Sequence, residues 1–196
     1  PAWERTFIQD SGLGGIMWAL LRFDNIFGSG PNQIPAGSTI ESAVLSYNVI
    51  NEGDAGNVYE VLVDWTEDAN YGNFGGEAGV QPDEYGSFVN SADGALGITT
   101  YPVLRQVNLT TSLASWSNNP TANRGWIFIP PNPNGTNVAS SEYATVSVRP
   151  LLTVTYSSVV NQPPSIPTVN APANGATGVS TSPTLDVTVS DPDADN

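Results

Sequence analysis

Residues 19–40 read ALLRFDNIFGSGPNQIPAGSTI, and the fold class follows first from this stretch. Its opening residues carry apolar side chains on both faces, which predicts a β-strand inside a sheet that is covered on both sides. Two turns that contain Gly and Pro follow, at residues 28–31 and 34–37, before a new strand starts near Thr39. A buried strand, a long turn and a second strand are typical of a β-sandwich.

The rest of the chain repeats short alternating segments separated by turns. The chain has 19 Gly and 16 Pro and no long segment with a 3.6-residue period, which indicates an all-β fold. A single helical turn is predicted at residues 110–116, with Thr110 or Thr111 as its cap. Predicted strands lie at residues 5–9, 16–23, 40–50, 58–65, 103–108, 125–129, 144–148 and 151–156.

The charge balance is strongly acidic. The chain has no Lys, and 19 acidic residues outnumber five arginines, for a formal net charge of -14. This balance excludes nucleic acid and anionic membrane surfaces as ligands, since both need a basic footprint. The acidity favours either solubility or the binding of Ca²⁺. Arg22 lies in the predicted buried strand, and we expect it to form an ion pair with Asp24 or Glu142.

The chain has no Cys and no His. Zinc sites, thiol chemistry and His-based triads are therefore excluded. No apolar run is long enough to predict a membrane span. Asn108 and Asn134 begin glycosylation sequons, which point weakly to the outside of the cell and which chance explains at least as well.

The composition changes after residue 156, and this change predicts three segments. We assign residues 1–156 to the sandwich and residues 157–171 to a Pro-rich linker. Residues 172–196 form an extension with one or two strands, in which residues 184–190 (TLDVTVS) alternate clearly. The alternation places Leu185, Val187 and Val189 on one face.

The N-terminal segment resembles a known family. The run LLRFDNIFGSGPNQIPAGSTIESAVLSY, with VDWTE at residues 63–67 and RPLLTVTY at residues 149–156, is similar to the DNRLRE-type domain. That domain is related to disaggregatase repeats and to a family of carbohydrate-binding modules. The resemblance covers roughly residues 5–156. It implies a jelly-roll-like antiparallel β-sandwich in secreted or surface proteins of bacteria and archaea.

A second resemblance concerns the C-terminal segment. Residues 161–196 resemble the opening of an immunoglobulin-like or fibronectin-like bacterial domain.

The loop at residues 66–86 allows three interpretations. Its acidic residues suit Ca²⁺ as oxygen ligands. Alternatively, aromatic residues form a sugar-binding cleft: Trp65, Tyr71, Phe74 and Tyr85. In the third interpretation Trp65 belongs to the core and the acids are solvated, as is commonest for such residues in sandwiches.

Three aspartates alternate near the end of the sequence, at Asp191, Asp193 and Asp195. This spacing resembles the start of a calcium loop, in which alternate side chains converge on one ion. A polar turn between domains explains the pattern equally well. A carboxylate-based glycoside hydrolase is a third class of function, and its candidate pair is Asp64 with Glu67.

Two main hypotheses of function remain. In the first, the chain is a non-catalytic extracellular structural module, and Leu185, Val187 and Val189 form the face of a strand donated to a neighbouring copy in a filament. Its partners are then copies of itself or neighbouring modules of a longer chain. In the second, the chain is a carbohydrate-binding module appended to a secreted enzyme, with a polysaccharide as its ligand.

Overall fold

The computed structural model describes residues 6–10, 16–53, 56–70, 72–131, 136–158 and 163–191. The chain divides into two compact units, an N-terminal unit of residues 1–158 and a C-terminal unit of residues 159–196. The described part of the N-terminal unit contains β1 (Thr6–Asp10), β2 (Ile16–Leu21), β3 (Thr39–Asn51), β4 (Gly56–Val61), β5 (Tyr85–Ala92), β6 (Val103–Asn108), α1 (Thr110–Asn118), β7 (Trp126–Ile129), β8 (Asn137–Val138) and β9 (Leu151–Ser157).

Two antiparallel sheets form the N-terminal unit. The first sheet has five strands in the order β1-β2-β7-β4-β5. The second sheet is built on the 13-residue strand β3, which pairs with β6 along one edge and with β8 and β9 along the other. The chain is therefore an all-β antiparallel sandwich, and this prediction is confirmed.

The main core lies between the two sheets. The first sheet contributes Leu21, Val58 and Trp126, and β3 contributes its alternate residues from Ala43 to Val49. Helix α1 closes the core with Trp116, whose ring lies 4.8 Å from that of Trp126. Alternation along the strands thus directs one apolar set of side chains inward, as the sequence predicts.

A second core covers the other face of the five-stranded sheet. Leu20, Val61 and Ile127 point to this face and pack under Trp65 and Phe74 of the loop that follows β4. Consecutive residues of one strand therefore enter different cores, and Leu20 and Leu21 are both buried. Strand β2 ends at Leu21, two residues before the predicted end, and the prediction that this strand is covered on both faces is confirmed for Leu20 and Leu21.

Helix α1 begins at the predicted place, but its cap differs from the prediction. The Thr110 hydroxyl accepts a hydrogen bond from the backbone N–H of Ala43 at 2.9 Å, so it serves β3 rather than its own helix. Leu109 occupies the cap position without a side-chain hydrogen bond. The side-chain oxygen of Asn108 accepts from the Thr110 backbone N–H at 2.9 Å and orders the entry to the helix.

The strand predicted at residues 144–148 is wrong. The structure has a 3₁₀ turn at Val146–Val148, closed by a hydrogen bond from the Val148 N–H to the Thr145 carbonyl. Val146 is exposed and the Val148 carbonyl accepts from the Asn48 side chain, so the segment is held without a sheet partner. Alternation of valine and serine alone does not make a strand where no neighbouring strand is available.

The C-terminal unit contains a two-stranded antiparallel ribbon, formed by β10 (Thr168–Ala171) and β11 (Asp186–Thr188). Val169 lies opposite Val187, and Thr168 lies opposite Thr188. A further bond from the Ser165 N–H to the Ser190 carbonyl extends the pairing beyond β11. The strand predicted at residues 184–190 is thus present in a shorter form, with a partner from its own unit.

Candidate functional site

The ribbon of the C-terminal unit is amphipathic. Residues opposite each other in an antiparallel pair share a face, so Val169 and Val187 lie together, with Leu185 and Val189 on the same side two residues away. These four side chains are defined here as the ribbon face. The exposed fractions are 58% for Val169, 77% for Leu185, 54% for Val187 and 69% for Val189.

The opposite side of the ribbon is polar and internally bonded. The side-chain N–H of Asn170 donates to the Thr188 hydroxyl at 2.8 Å and to the Asp186 carboxylate at 3.3 Å. This small network holds the two strands in register and fixes which side of the ribbon is apolar. The ribbon face combines the three residues predicted for strand donation with Val169.

Sequence reasoning missed Val169 and the strand that contains it. Strand β10 falls inside residues 157–171, which were predicted as a Pro-rich linker. The signal was present, because Thr168, Val169, Asn170 and Ala171 alternate between the prolines at 167 and 172. The flanking prolines favour the prediction of a linker, but a strand of four residues is short enough to fit between them.

Trp65 lies in the second core and not in an open cleft. Its indole N–H donates to the Arg124 carbonyl at 2.7 Å, and the guanidinium of Arg22 lies 4.8 Å from the ring centroid. Arg22 also donates to the Trp65 carbonyl at 3.1 Å and forms an ion pair with Asp24 at 2.7 Å. The predicted pairing of Arg22 with Asp24 is therefore present, and one face of the Trp65 ring is already occupied.

The other described aromatic residues predicted for a sugar cleft, Phe74 and Tyr85, join Trp65 in the second core. Phe74 is 1% exposed and packs in the second core with Trp65. Tyr85 meets Tyr59 edge to face, with ring centroids 5.0 Å apart, and Tyr71 lies outside the described residues. Because stacking on a sugar needs a free ring face, the burial of Trp65 and Phe74 corrects the cleft interpretation for these two residues.

A groove of about 250 Å³ does lie beside this corner. Its lining combines the polar side chains of Asp64, Thr66 and Asn73 with Trp65, Ala69 and Phe74. Asp64 is held by Arg124 at 2.9 Å, and Glu67 is exposed in the loop. The structure therefore assigns the carboxylate of Asp64 to an ion pair, whereas the prediction that Asp64 and Glu67 act together in catalysis stays a prediction.

The acidic residues of the loop have separate surroundings. Glu84 is buried, and its carboxylate accepts a hydrogen bond from the Gln81 backbone N–H at 2.6 Å. The same carboxylate fills the space that a side chain on Gly75 would need, and the φ of +63° at Gly75 also favours glycine. Glu84 thus fastens the loop over the second core, while the remaining acidic side chains of the loop are exposed: Glu67, Asp68, Glu77 and Asp83.

No group of three acidic side chains within the described ranges is arranged to hold a metal ion. Of the alternating aspartates, Asp191 is described and half-buried, whereas Asp193 and Asp195 lie outside the described residues. The calcium site at these three residues stays a prediction. The sequon at Asn134 also lies outside the described residues, and Asn108 is exposed at the end of β6.

One buried phenol has a strongly altered acidity. Burial raises the pKa of Tyr47 to about 12. Its hydroxyl donates to the Asp93 carbonyl at 2.9 Å and accepts from the Asp93 N–H at 2.8 Å. Asp93 also forms an ion pair with Arg105 at 2.6 Å. Because both hydrogen bonds of the phenol go to one backbone residue, Tyr47 anchors the segment after β5 to β3.

In the part of the chain that the structure describes, no helix is long and apolar enough to cross a membrane. Compared with known proteins, the chain matches no family model and no curated protein. The resemblance of residues 5–156 to the DNRLRE-type domain therefore stays a prediction.

Proposed function

We propose that this chain is a non-catalytic structural module that associates with other copies of itself through the ribbon face. The observation that carries the proposal is the exposure of four aliphatic side chains on one side of a two-stranded ribbon. Contiguous apolar surface of this kind commonly marks a binding surface. Catalysis forms no part of the proposal.

The ribbon consists of two short strands. A two-stranded sheet is marginally stable in water and gains stability when a third strand or another apolar surface packs on it. Burial of apolar surface is worth roughly 25 cal/mol per Å². A partner that buries the ribbon face therefore stabilises the ribbon, and the same burial stabilises the association with that partner.

The net charge of the chain favours association through the ribbon face over association through other parts of its surface. With a net charge of -14, two copies repel each other at most orientations. The ribbon face itself carries no charged group, because Asp186 points to the opposite side. A contact through this face thus brings few like charges together.

The proposal includes a head-to-tail filament on the outside of the cell. A donor and an acceptor surface at different places on one chain produce an open polymer when repeated. The extracellular location rests on the DNRLRE-type resemblance and on the sequon at the exposed Asn108. Strand addition supplies affinity through backbone hydrogen bonds and specificity through alternate side chains.

Light scattering and electron microscopy of the full chain test this proposal. We expect the unaltered chain to assemble and Leu185→Asp to abolish assembly, because the substitution places a charge in the ribbon face. Thr168→Asp is the matched control, since it adds the same charge on the polar side of the same ribbon and should leave assembly unchanged. Equal assembly of the Leu185→Asp and control variants, or a monomeric unaltered chain, contradicts the proposal.

A further inference from the structure

We infer that the acceptor for the ribbon face is a groove along the free edge of β9, and that its occupant is strand β11 of a second copy. This inference rests on the proposed function and identifies the partner surface. Strand β9 pairs with β3 on one side, and no other strand of the described residues pairs with its opposite edge. An exposed edge presents unpaired backbone N–H and C=O groups to an incoming strand.

The groove beside this edge has a volume of about 290 Å³. Its apolar lining comes from two segments, the turn between β2 and β3 and the strand β9. The apolar and aromatic lining residues are Phe23, Ile26, Ile34, Leu152, Val154 and Tyr156. Ile26, Leu152 and Val154 also pack against the main core, so the groove continues the sandwich interior past the edge of its second sheet.

The pattern of β9 matches that of β11. Leu152, Val154 and Tyr156 point into the groove, while Leu151, Thr153 and Thr155 are exposed on the other side. An added strand whose side chains alternate in the same way inserts Leu185, Val187 and Val189 between β9 and the turn. Its polar residues, Asp186 and Thr188, then remain in water.

The length of the donor also fits. Strand β9 has seven residues, and the donor segment, residues 184–190 with the three-residue strand β11 at its centre, also has seven. A specific interface buries on the order of 1,000 Å² in total. Backbone pairing over so short a strand does not reach this area by itself, so the three aliphatic side chains must fill the groove for the contact to be stable.

Charge selects the direction of the added strand. The ion pairs within the described residues use Arg22, Arg105 and Arg124, whereas the Nε of Arg149 donates to the Tyr143 carbonyl at 2.8 Å and Arg149 has no acidic partner among those residues. Arg149 lies two residues before β9. An antiparallel donor with Val187 opposite Val154 brings Asp191 to this arginine, whereas a parallel donor directs Asp191 to the other end of β9.

Strand β11 can enter the groove without leaving the ribbon. It pairs with β10 along one edge, and no further strand of the described residues pairs with its other edge. The ribbon therefore adds to β9 as a unit, and β10 becomes the outermost strand. The polar network of Asn170, Asp186 and Thr188 keeps its place on the outer side.

Cysteine pairing between two copies tests the inference, and the chain has no native cysteine to interfere. The antiparallel register places Thr153 opposite Thr188, and residues opposite each other in such a pair are close enough for a disulfide. One full-length copy carries Thr153→Cys, and a second copy with a size tag carries Thr188→Cys. We expect a disulfide-linked heterodimer under mild oxidation, at least tenfold more abundant than with Ser87→Cys, an exposed position on β5, in place of Thr153→Cys.

Two further variants refine the result. Thr155→Cys with Thr188→Cys reports a parallel donor, and we expect it to link less than the antiparallel pair. Arg149→Gln should weaken association by roughly two- to fivefold and reduce its dependence on salt, as for a single exposed ion pair. Equal linking through Thr155 and Thr153, or no effect of Arg149→Gln, contradicts the assigned direction.

The outcomes separate this inference from the proposed function. If the unaltered chain assembles but Thr153→Cys links no better than the Ser87→Cys control, the groove is not the acceptor and the proposed function stands. If a single chain that carries both Thr153→Cys and Thr188→Cys closes on itself as a monomer, the occupant is not a second copy. If the unaltered chain does not assemble at all, both fail together.

Discussion

The two units of this chain treat the apolar faces of their sheets in opposite ways. The five-stranded sheet of the N-terminal unit has apolar side chains on both faces, and both faces are covered. The ribbon of the C-terminal unit has one apolar face, and more than half of the surface of each of its four aliphatic side chains is exposed. The same alternation of residues thus leads to a core in one unit and to a bare surface in the other.

The difference shows that the strand pattern alone does not separate a structural face from a binding face. What separates them is whether another part of the chain buries the apolar side chains. The N-terminal unit supplies two covers of different kinds, a second sheet on one side and the loop at residues 62–84 on the other. The C-terminal unit has two described strands, too few to enclose a core. A strand with apolar side chains on one face is therefore a candidate binding strand where the described residues leave that face exposed.

The largest effect is expected in the main core. Trp126→Ala removes a fully buried ring that packs on Trp116 and donates to the Ser112 hydroxyl at 3.0 Å. We expect the free energy of unfolding of the N-terminal unit to fall by about 4–5 kcal/mol, as for other buried Trp-to-Ala changes. Urea denaturation followed by far-UV circular dichroism measures this change. Leu62→Ala, at an exposed position, is the control, and a loss below about 2 kcal/mol for Trp126→Ala would refute the assignment.

The loop that covers the second core should matter nearly as much. Phe74→Ala is expected to cost about 3 kcal/mol, somewhat less than a change between the sheets because the loop can partly collapse into the space. Hydrogen exchange of the backbone amides at residues 66–84 should increase at the same time. Phe88→Ala makes the same substitution on an exposed ring, so a similar cost for both variants would show that the loop is not a structural cover.

The sequence predicts the strands of the N-terminal unit well where burial and alternation agree. Residues 19–23 and the long strand β3 are both recognisable from the spacing of their apolar residues. Strand β5 is harder to predict because several of its side chains are half-buried or exposed, so its pattern lacks contrast. The turn at Val146–Val148 reads as a strand because sequence alone does not show that partners are missing.

The candidate site was predicted in part. The face of Leu185, Val187 and Val189 follows from period-two alternation, and Val169 could have been found by the same criterion. The groove at β9 could not, because its lining joins residues 23–34 with residues 152–156, which only the folded chain brings together. The sequence predicts Trp65 either in the core or in a sugar-binding cleft and predicts Phe74 in that cleft, and the second core that contains both residues has no signal in local sequence.

The pH dependence of stability tests the buried side of β3. Because burial raises the pKa of Tyr47 to about 12 from its ordinary value of 10, the unfolded chain ionises first. The neutral Tyr47 phenol therefore contributes roughly 2–3 kcal/mol to the free energy of unfolding. This contribution is fully present below pH 10 and is lost as the pH rises toward 12. Denaturation of the unaltered chain and of Tyr47→Phe between pH 9 and 12 measures it.

Other tyrosines also ionise in this range, and the pKa of Tyr101 is raised as well, mainly by burial. The comparison therefore uses the difference between the two chains. At pH 8, Tyr47→Phe should be less stable by about 1 kcal/mol, because the Asp93 backbone loses its hydrogen-bond partner. Parallel loss of stability in both chains above pH 10 would mean that the Tyr47 phenol is accessible to solvent.

The smallest effect on stability is expected in the ribbon, and there it is the informative result. Valine to threonine replaces a methyl group with a hydroxyl at nearly constant shape, so its cost reports whether the side chain is buried. Val58→Thr, inside the main core, should cost roughly 1–3 kcal/mol. Val187→Thr should change the free energy of opening of the ribbon by less than about 0.5 kcal/mol, since surface changes are small. Hydrogen exchange at β10 and β11, at a concentration where the chain is monomeric, measures the second value.

At higher concentration the Val187→Thr variant should show less protection from exchange than the unaltered chain, because assembly then covers Val187. Protection that does not depend on concentration in either chain would mean that the ribbon face meets no partner.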